Sequence, residues 1–174
     1  MSISQQNLLE KSSRYQETFS NSKRILETGS LRKSAFLCHS HRDDDLVKGL
    51  LVKFNELGVD LYVDWKDHTM PETPNVETAQ KIQSRIKSCD LFLFLATANS
   101  KASRWCPWEI GYADASSRHI YIIPTSDHQN SYGNEYLELY AKIDEGIYEG
   151  RQSLAIFETK EKSGRWLTTS SLLQ

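Results

Sequence analysis

The chain has 174 residues, which is the size of a single domain with one proper core. Its formal net charge of −2 gives no sign of the basic surface by which proteins bind nucleic acids or acidic membranes. All apolar runs are shorter than the roughly 20 residues of a membrane span, and the N-terminus lacks the basic and apolar blocks of a secretion signal. We therefore expect a cytoplasmic protein with no nucleic-acid or membrane partner.

Cysteine usage indicates the same reducing compartment. Cys38, Cys89 and Cys106 are odd in number and form no C-x-x-C pair, so the sequence predicts neither a disulfide framework nor a zinc site. His39 and His41 lack both the helical spacing and the third ligand of a metal centre. The expectation is a protein without a bound metal.

The first 32 residues are polar and rich in Ser and Gln. We expect one or two short helices there, or a partly ordered arm that docks on a partner, ending near Gly29 and Ser30. Residues 33–158 carry the apolar periodicity of the main domain. Residues 159–174 are predicted to be a polar C-terminal tail, short or frayed.

Within the main domain, apolar strands alternate with helical patterns. The predicted strands cover residues 34–40, 59–64, 90–97, 119–125 and 153–158. The predicted helices cover residues 43–58, 76–89, 104–116 and 134–146, and a loop with two prolines covers 65–75. This alternation predicts an α/β domain with a flavodoxin-like, five-stranded parallel sheet in the order 2-1-3-4-5 and helices on both faces. Such sheets bind ligands at the carboxyl ends of their strands, here between strands 1 and 3.

The helix "RWCPWEIGYADAS" carries two stripes when its residues are placed about 100° apart. One stripe is small or apolar and is predicted to pack on the sheet; its members are Cys106, Ile110 and Ala113. The other is predicted to face the mouth of the crevice rather than the core; its members are Trp105, Glu109, Tyr112 and Ser116. Pro107 fits the first turn, where no N–H is needed, and Trp108 lies on neither stripe, so we expect it to pack or to meet a neighbouring subunit.

Glu109 is the strongest candidate for chemistry. A carboxylate beside an indole in a cleft can accept hydrogen bonds from a vicinal diol, or stabilise an oxocarbenium-like transition state as a glycosidic bond breaks. The alternative is an ordinary carboxylate near a helix N-terminus, where the helix dipole favours negative charge. Tryptophans near a helix start are also more often core or interface anchors than ligand platforms.

The stretch "HSHRDDD" offers weaker candidates. Its histidines, with Ser40 and Arg42, could donate hydrogen bonds to a phosphate or an amide beside a helix N-terminus. Loop and capping chemistry is the alternative, and the pattern slightly favours it. The glycine motifs of Rossmann, P-loop and nucleophile-elbow sites do not occur in the sequence.

Three stretches, in this order, resemble the TIR (Toll/interleukin-1 receptor) domain of the prokaryotic type over residues 34–157. "AFLCHSHRDD" is similar to its first strand and helix start, and "LGVDLYVDW" to the strand that ends in an aspartate, here Asp64, before the long BB loop. "IKSCDLFLFLATANSKASRWCPWEIGYA" is similar to its apolar strand, Ser-rich turn, tryptophan and glutamate. In TIR domains that cleave NAD+ this glutamate is catalytic; it corresponds to Glu109, and the tryptophan to Trp105. The chain departs from the family pattern in having Cys38 where serine is frequent and no glycine in the loop.

The resemblance implies an NAD+ glycohydrolase or cyclase that takes NAD+ as substrate and needs no cofactor. It also implies anti-phage defence of the Thoeris type, with an ADP-ribose-derived signal nucleotide acting on a separate effector protein, and self-association or contact with other TIR domains. Glu109 is then the predicted catalytic residue. The predicted substrate-binding residues are Phe36, Cys38, His39, Ser40, Arg42, Asp64, Trp65, Trp105 and Tyr112.

Two alternatives remain open. "WEIGYADA" followed by "IYIIP" resembles nucleoside 2-deoxyribosyltransferases, although the segment before the helix is "SKASRWCP" rather than their usual Asp-x-Gly. Those enzymes also use the glutamate on an N-glycosidic bond. A non-catalytic TIR adaptor, which binds other TIR domains through the BB loop and the following helix, is the second alternative.

Overall fold

The computed structural model describes residues 2–22, 33–66, 73, 75–116, 119–159 and 163–167. Within these residues the strands are β1 Ile3–Ser4, β2 Lys33–Cys38, β3 Val59–Tyr62, β4 Leu91–Ala96, β5 His119–Ser126, β6 Ser131–Tyr132, β7 Ala141–Tyr148, β8 Arg151–Phe157 and β9 Arg165–Trp166. The helices are α1 Gln5–Ser12, α2 Tyr15–Ser22, α3 Asp44–Glu56, α4 Val76–Ser88, α5 Ala98–Ala102 and α6 Trp105–Ala115. Short 3₁₀ turns cover His41–Asp43, Asp64–Lys66 and Asn134–Tyr136.

The central sheet has the order β3-β2-β4-β5-β7-β8-β9. Strands β3, β2, β4, β5 and β7 pair in parallel, whereas β8 and β9 are antiparallel additions. The predicted α/β architecture with a mostly parallel sheet is therefore confirmed, and the first four predicted strands lie in the order 2-1-3-4. The predicted fifth strand does not lie beside the fourth, because β7 occupies that position.

Strand β4 shows why helices cover both faces of the sheet. All six of its residues are buried, and alternate side chains belong to two different core clusters. Leu91, Leu93 and Leu95 pack toward α3 in the first cluster. Phe92 and Phe94 pack toward α4 and α6 in the second cluster. A continuous apolar run without alternation thus marks the centre of the sheet.

The helix predicted over residues 134–146 is wrong. Only the turn Asn134–Tyr136 is helical, and Ala141–Tyr148 forms strand β7. Two parallel partners on β5 and seven antiparallel partners on β8 hold β7 in the sheet, so tertiary pairing overrides the local helical pattern. Position 146 in this strand needs a glycine, because a Cβ there would lie 2.7 Å from the Trp166 ring of β9.

The C-terminal residues also add to the sheet. Arg165–Trp166 pairs with β8 as β9, and Leu167 is buried in the first core cluster. The predicted tail thus contains an edge strand among the residues that the structure describes, while 160–162 and 168–174 lie outside them.

The N-terminal segment is integrated into the same core. Strand β1 pairs in parallel with β5, and Ile3 and Leu8 have no exposed surface. Helix α1 lies so close to α3 that a Cβ on Gly49 would overlap the Leu8 carbonyl. Of the expected alternatives, one or two short helices or a partly ordered arm, the described residues form two short helices, and the first packs on this chain's own α3. The boundary predicted at residue 32 lies outside the described residues.

Candidate functional site at the carboxyl ends of β2, β3 and β4

The carboxyl ends of β2, β3 and β4 bring together the polar residues that follow each strand. Within the described ranges, no helix has the length and apolarity needed to cross a membrane. Residues 39–43 follow β2, Asp64 follows β3, and residues 97–105 follow β4 and lead into α6. This is the switch point between the first and third predicted strands, where ligands of such sheets bind.

A buried carboxylate ties two of these connections together. Asp43 is 4% exposed and accepts a hydrogen bond from the Thr97 hydroxyl at 2.6 Å and one from the Asn99 amide at 2.6 Å. Thr97 also forms a capping box with Ser100 at the start of α5. The Asp43 contacts therefore hold the start of α3 against the segment that leads to α6.

Helix α6 begins where Ser103 can cap it. The Ser103 hydroxyl accepts hydrogen bonds from the backbone N–H groups of Trp105 and Cys106. The predicted stripe of Cys106, Ile110 and Ala113 is buried and packs on the sheet in the second core cluster. The helix register predicted from the sequence therefore matches the structure.

Glu109 lies deeper than the helical pattern predicts. We expected it at the mouth of the crevice, but its exposed fraction is 7%. The pKa of Glu109 is raised from 4.5 to about 7, and burial is the main cause. A hydrogen bond from Cys38 and the charge of His41 oppose this rise, and the nearby Asp64 carboxylate adds to it. A carboxyl group with a pKa near neutrality can be an acid or a base at physiological pH.

Two buried thiols lie beside this carboxyl group. Cys38 hydrogen-bonds to Glu109, and its Sγ also lies 3.9 Å from the backbone oxygen of Cys106. Burial raises the pKa of Cys38 well above its ordinary value, so Cys38 is a neutral thiol that acts as a hydrogen-bond donor. The hydrogen bond from Cys38 lowers the pKa of Cys106.

A histidine pair surrounds the Asp64 carboxylate. His41 Nε2 lies 2.7 Å from Asp64 Oδ2, and this hydrogen bond raises the pKa of His41. His39 Nδ1 lies 3.0 Å from the Leu37 carbonyl, and its Nε2 lies 3.6 Å from Asp64 Oδ1. Burial lowers the pKa of His39 despite Asp64, so His39 is neutral at pH 7, whereas Asp64 favours the cationic form of His41.

Aromatic side chains form the exposed wall of α6. The Trp105 and Trp108 rings meet edge to face at 5.5 Å, and the Trp108 and Tyr112 rings stack at 6.0 Å. Trp108 therefore packs between the two predicted cleft aromatics while remaining 37% exposed. Trp65, on the turn after Asp64, is 38% exposed.

The structure does not bring all the predicted substrate-binding residues to this crevice. Phe36 is 2% exposed and stacks with Tyr62 and Phe92 inside the second core cluster. Ser40 caps the turn after β2 by accepting from the Arg42 N–H at 3.4 Å, and Arg42 is exposed. Substrate contacts by these residues stay predictions.

Sequence reasoning assigned no site role to Cys106, named His41 only as a possible hydrogen-bond donor, and did not distinguish Asp43 from the aspartates beside it. The histidine spacing in "HSHRDDD" was a signal, but the partnership with Asp64 joins residues 23 positions apart. Asp43 was one of three consecutive aspartates, and only the fold distinguishes it, because Asp44 and Asp45 pair with Lys48 instead.

A family profile and two named relatives point to the same protein family. The profile of the TIR domain family matches residues 35–146, more than half of the chain. A Bacillus cereus (strain MSX-D12) protein named "Probable 3' cyclic ADP-D-ribose synthase ThsB'" is 37% identical over 116 residues, which are 64% of this chain and 60% of that protein. A Cytobacillus dafuensis protein named "Putative cyclic ADP-D-ribose synthase TIR2" is 28% identical over 95 residues, which are 53% of this chain and 25% of that protein. The matched part thus spans less than two thirds of either relative.

Among solved structures, a Clostridium botulinum CMP N-glycosidase, BcmB, superposes with a TM-score of 0.39. The sequences are 22% identical, and the match covers 52% of this chain and 66% of that one. A similarity of this size is too low for a conclusion about function.

Proposed function

Because the chain belongs to the TIR domain family, we propose that it cleaves the bond between nicotinamide and ribose in NAD+ and converts the ADP-ribosyl part into a cyclic product. Two relatives named as cyclic ADP-ribose synthases support this activity. The observation that carries the proposal is the buried Glu109 carboxyl group, with its pKa near 7, at the switch point of the sheet.

Glu109 is the proposed catalytic residue. When the C1′–N bond breaks, its electron pair goes to the pyridinium nitrogen, nicotinamide leaves as a neutral molecule, and positive charge develops on the ribose. A carboxylate next to the ribose stabilises this charge, as in glycosidases, and accepts hydrogen bonds from the ribose hydroxyls. A nucleophile within the same molecule then forms the new bond at C1′; if it is a hydroxyl group, its proton can pass to Glu109.

The substrate itself helps to ionise Glu109. An opposite charge a few ångströms away lowers the pKa of a carboxyl group, and the nicotinamide ring of NAD+ is a cation. Burial disfavours the charged carboxylate in the free protein, so the substrate cation would create the active form on arrival. A neutral analogue such as NADH would lack this effect.

The aromatic wall of α6 and Trp65 complete the proposed pocket. Apolar rings around the scissile bond exclude water, which strengthens the interaction between Glu109 and the developing charge. They also favour departure of neutral nicotinamide over the bound cation. Trp105 and Tyr112 flank Glu109 in sequence and pack partly buried against the second core cluster.

The proposed setting is anti-phage defence. The product would be a signal nucleotide that acts on a separate effector protein, and the chain would self-associate or meet other TIR domains in the cytoplasm. The TIR family and the cyclase names of its relatives support this setting.

The test compares wild type with Glu109→Gln, which keeps the side-chain shape and removes the charge. We expect NAD+ consumption by the assembled protein to fall about 10²- to 10³-fold, the loss typical of one charge-stabilising group. Glu138→Gln is the matched control, because Glu138 is exposed. Unchanged NAD+ consumption in Glu109→Gln would refute the catalytic assignment.

The mass of the nucleotide product separates the possible reactions. Cyclisation gives a product with one water less than ADP-ribose, and hydrolysis gives ADP-ribose itself. An assembled wild-type protein that releases no nicotinamide would instead favour the adaptor hypothesis. Transfer between deoxynucleosides and a free base would favour the deoxyribosyltransferase hypothesis.

A further inference from the structure

The Lys66 side chain connects the N-terminal helix α2 with the turn that carries Trp65. Its Nζ lies 4.4 Å from the centre of the Phe19 ring and 5.0 Å from that of Tyr15, both on α2. The same Nζ lies 5.5 Å from the centre of the Trp65 ring. All three distances are within the range of a cation–π interaction, which is about 6 Å. One ammonium group is thus shared by rings from two distant parts of the chain.

The two ends of this connection are anchored. Tyr15 and Phe19 lie 4.8 Å apart and pack against the first core cluster. At the other end, the backbone N–H of Lys66 donates to the Val63 carbonyl at 3.1 Å. The N–H of Trp65 donates to Asp64 Oδ1 at 2.8 Å. The backbone of the turn is therefore fixed by Val63, which directly follows β3, and by Asp64, while the exposed Trp65 ring has the Lys66 ammonium as a neighbour.

We propose that Lys66 is a positioning residue through which helix α2 sets the orientation of the Trp65 ring beside the site. An exposed indole is a good surface on which a flat aromatic ring can stack. The ligand class that fits is a flat heteroaromatic ring, such as the ring of an N-ribosyl pyridinium, held by stacking rather than by its charge. This role in ligand binding depends on the proposed function, whereas the effect of Lys66 on Trp65 does not.

Three substitutions distinguish the effect of the Lys66 charge on Trp65 from the effects of the α2 ring and of side-chain bulk. Lys66→Met keeps the length of the side chain and removes the charge, and Lys66→Arg keeps a cation that can lie on aromatic rings. Phe19→Leu removes one ring of α2 and keeps an apolar contact with the core. Lys81→Met is the matched control, because it removes a lysine charge from α4 on the other face of the sheet.

The first measurement is independent of activity. The full chain contains four tryptophans, so incorporation of 5-fluorotryptophan gives four ¹⁹F resonances, and Trp65→Phe identifies the one from Trp65. We expect Lys66→Met and Phe19→Leu to shift that resonance while the other three stay in place. Lys66→Arg and Lys81→Met should leave the Trp65 resonance near its wild-type position. An unchanged Trp65 resonance in Lys66→Met would overturn the positioning role.

The second measurement tests ligand binding. We expect KM for NAD+ to rise about three- to tenfold in Lys66→Met, the size of one aromatic stacking contact that is lost when the Trp65 ring is misplaced, while kcat stays within about twofold of wild type. Lys66→Arg should restore most of the affinity. A shifted resonance with an unchanged KM overturns the ligand-binding part. If wild-type protein does not consume NAD+, the proposed function fails, and the fluorine spectra alone decide the role of Lys66.

Discussion

His41 Nε2 lies 2.7 Å from Asp64 Oδ2 and joins the end of β2 to the end of β3. This pair is the exposed side of a charge cluster whose buried member is Glu109, because the charges of both Asp64 and His41 act on the Glu109 carboxyl group. Glu109, Asp64 and His41, which come from three segments of the chain, therefore influence one another's ionisation.

The stability of the His41–Asp64 pair should depend on pH. The hydrogen bond to Asp64 raises the pKa of His41 in the folded state, so the pair stabilises the fold below the pKa of an unfolded histidine, about 6.5, and loses its effect as the pH rises through the folded value. We expect His41→Ala to lower the free energy of unfolding more at pH 5.5 than at pH 9. The His41 side chain is 72% exposed, so the difference should be at most about 1 kcal/mol.

Urea unfolding at the two pH values measures this difference. The control is the same substitution in an Asp64→Asn background, where the pH-dependent part should vanish because the partner charge is absent. A pH-dependent loss of equal size in both backgrounds would show that Asp64 is not the partner.

Glu109→Gln should stabilise the protein at alkaline pH. The folded-state pKa of Glu109, about 7, exceeds the ordinary value of 4.5, so the folded protein holds the proton more tightly. The contribution of Glu109 to stability is therefore fully present below pH 4.5 and is lost as the pH rises from 4.5 to about 7. At pH 8 the glutamine variant should gain up to about 3 kcal/mol, and at pH 4.5 the two proteins should differ little. Urea unfolding at both pH values measures the effect, and equal stabilities at pH 8 would contradict a buried carboxyl group.

Cys38 should tune the pH profile of the reaction. Its thiol hydrogen bond lowers the pKa of Glu109, so Cys38→Ala should raise the pH at which kcat/KM reaches half its maximum. Cys38→Ser supplies a stronger donor and should lower it. Each midpoint should move by about half a pH unit or more, which corresponds to one modest hydrogen bond. Midpoints that move in the same direction for both variants would exclude this hydrogen bond as the cause.

Asp43 should matter for stability far more than the acidic residues beside it. Asp43→Ala leaves the Thr97 hydroxyl and the Asn99 amide without their acceptor, and we expect a loss of about 2–4 kcal/mol in the free energy of unfolding. Asp45→Ala is the control, because the Asp45 side chain is 69% exposed and pairs only at the surface with Lys48. Its effect should stay below about 1 kcal/mol, and chemical denaturation compares the two.

Gly49→Ala should separate α1 from α3. The new Cβ would overlap the Leu8 carbonyl and lie 2.8 Å from its carbon, so we expect a loss of about 1–3 kcal/mol from overpacking. Proteolysis within residues 5–12 should become faster at the same time. Gly111→Ala on α6 is the matched control, since apart from its chain neighbours and the adjacent backbone of α6 nothing lies within 4 Å of the new Cβ, and it should stabilise the helix by about 0.4–1 kcal/mol.

The sequence alone determined the architecture wherever local pattern and tertiary environment agree. The apolar run of β4, the helical spacing of α3 and α4, and the two stripes of α6 follow from burial on fixed faces, which the periodicity of a sequence records directly. The same reasoning placed the site at the ends of the predicted first and third strands, because the geometry of parallel sheets fixes that location. It also singled out Glu109 and Trp105 as candidate residues, whereas Asp64 came from the family resemblance, and the functional roles of all three stay predictions.

Only the tertiary structure decided the contacts between distant residues. Strand β7 formed where local propensity favoured a helix, since pairing with β5 and β8 outweighs the preference of an isolated segment. The depth of Glu109, the hydrogen bond from Cys38 and the charge of His41 depend on how three strand ends converge. Periodicity reports which face of an element is buried, but the environment of a side chain depends on what the fold packs against that face. For Glu109, that environment moved a predicted cleft carboxylate into a buried position and raised its pKa to about 7.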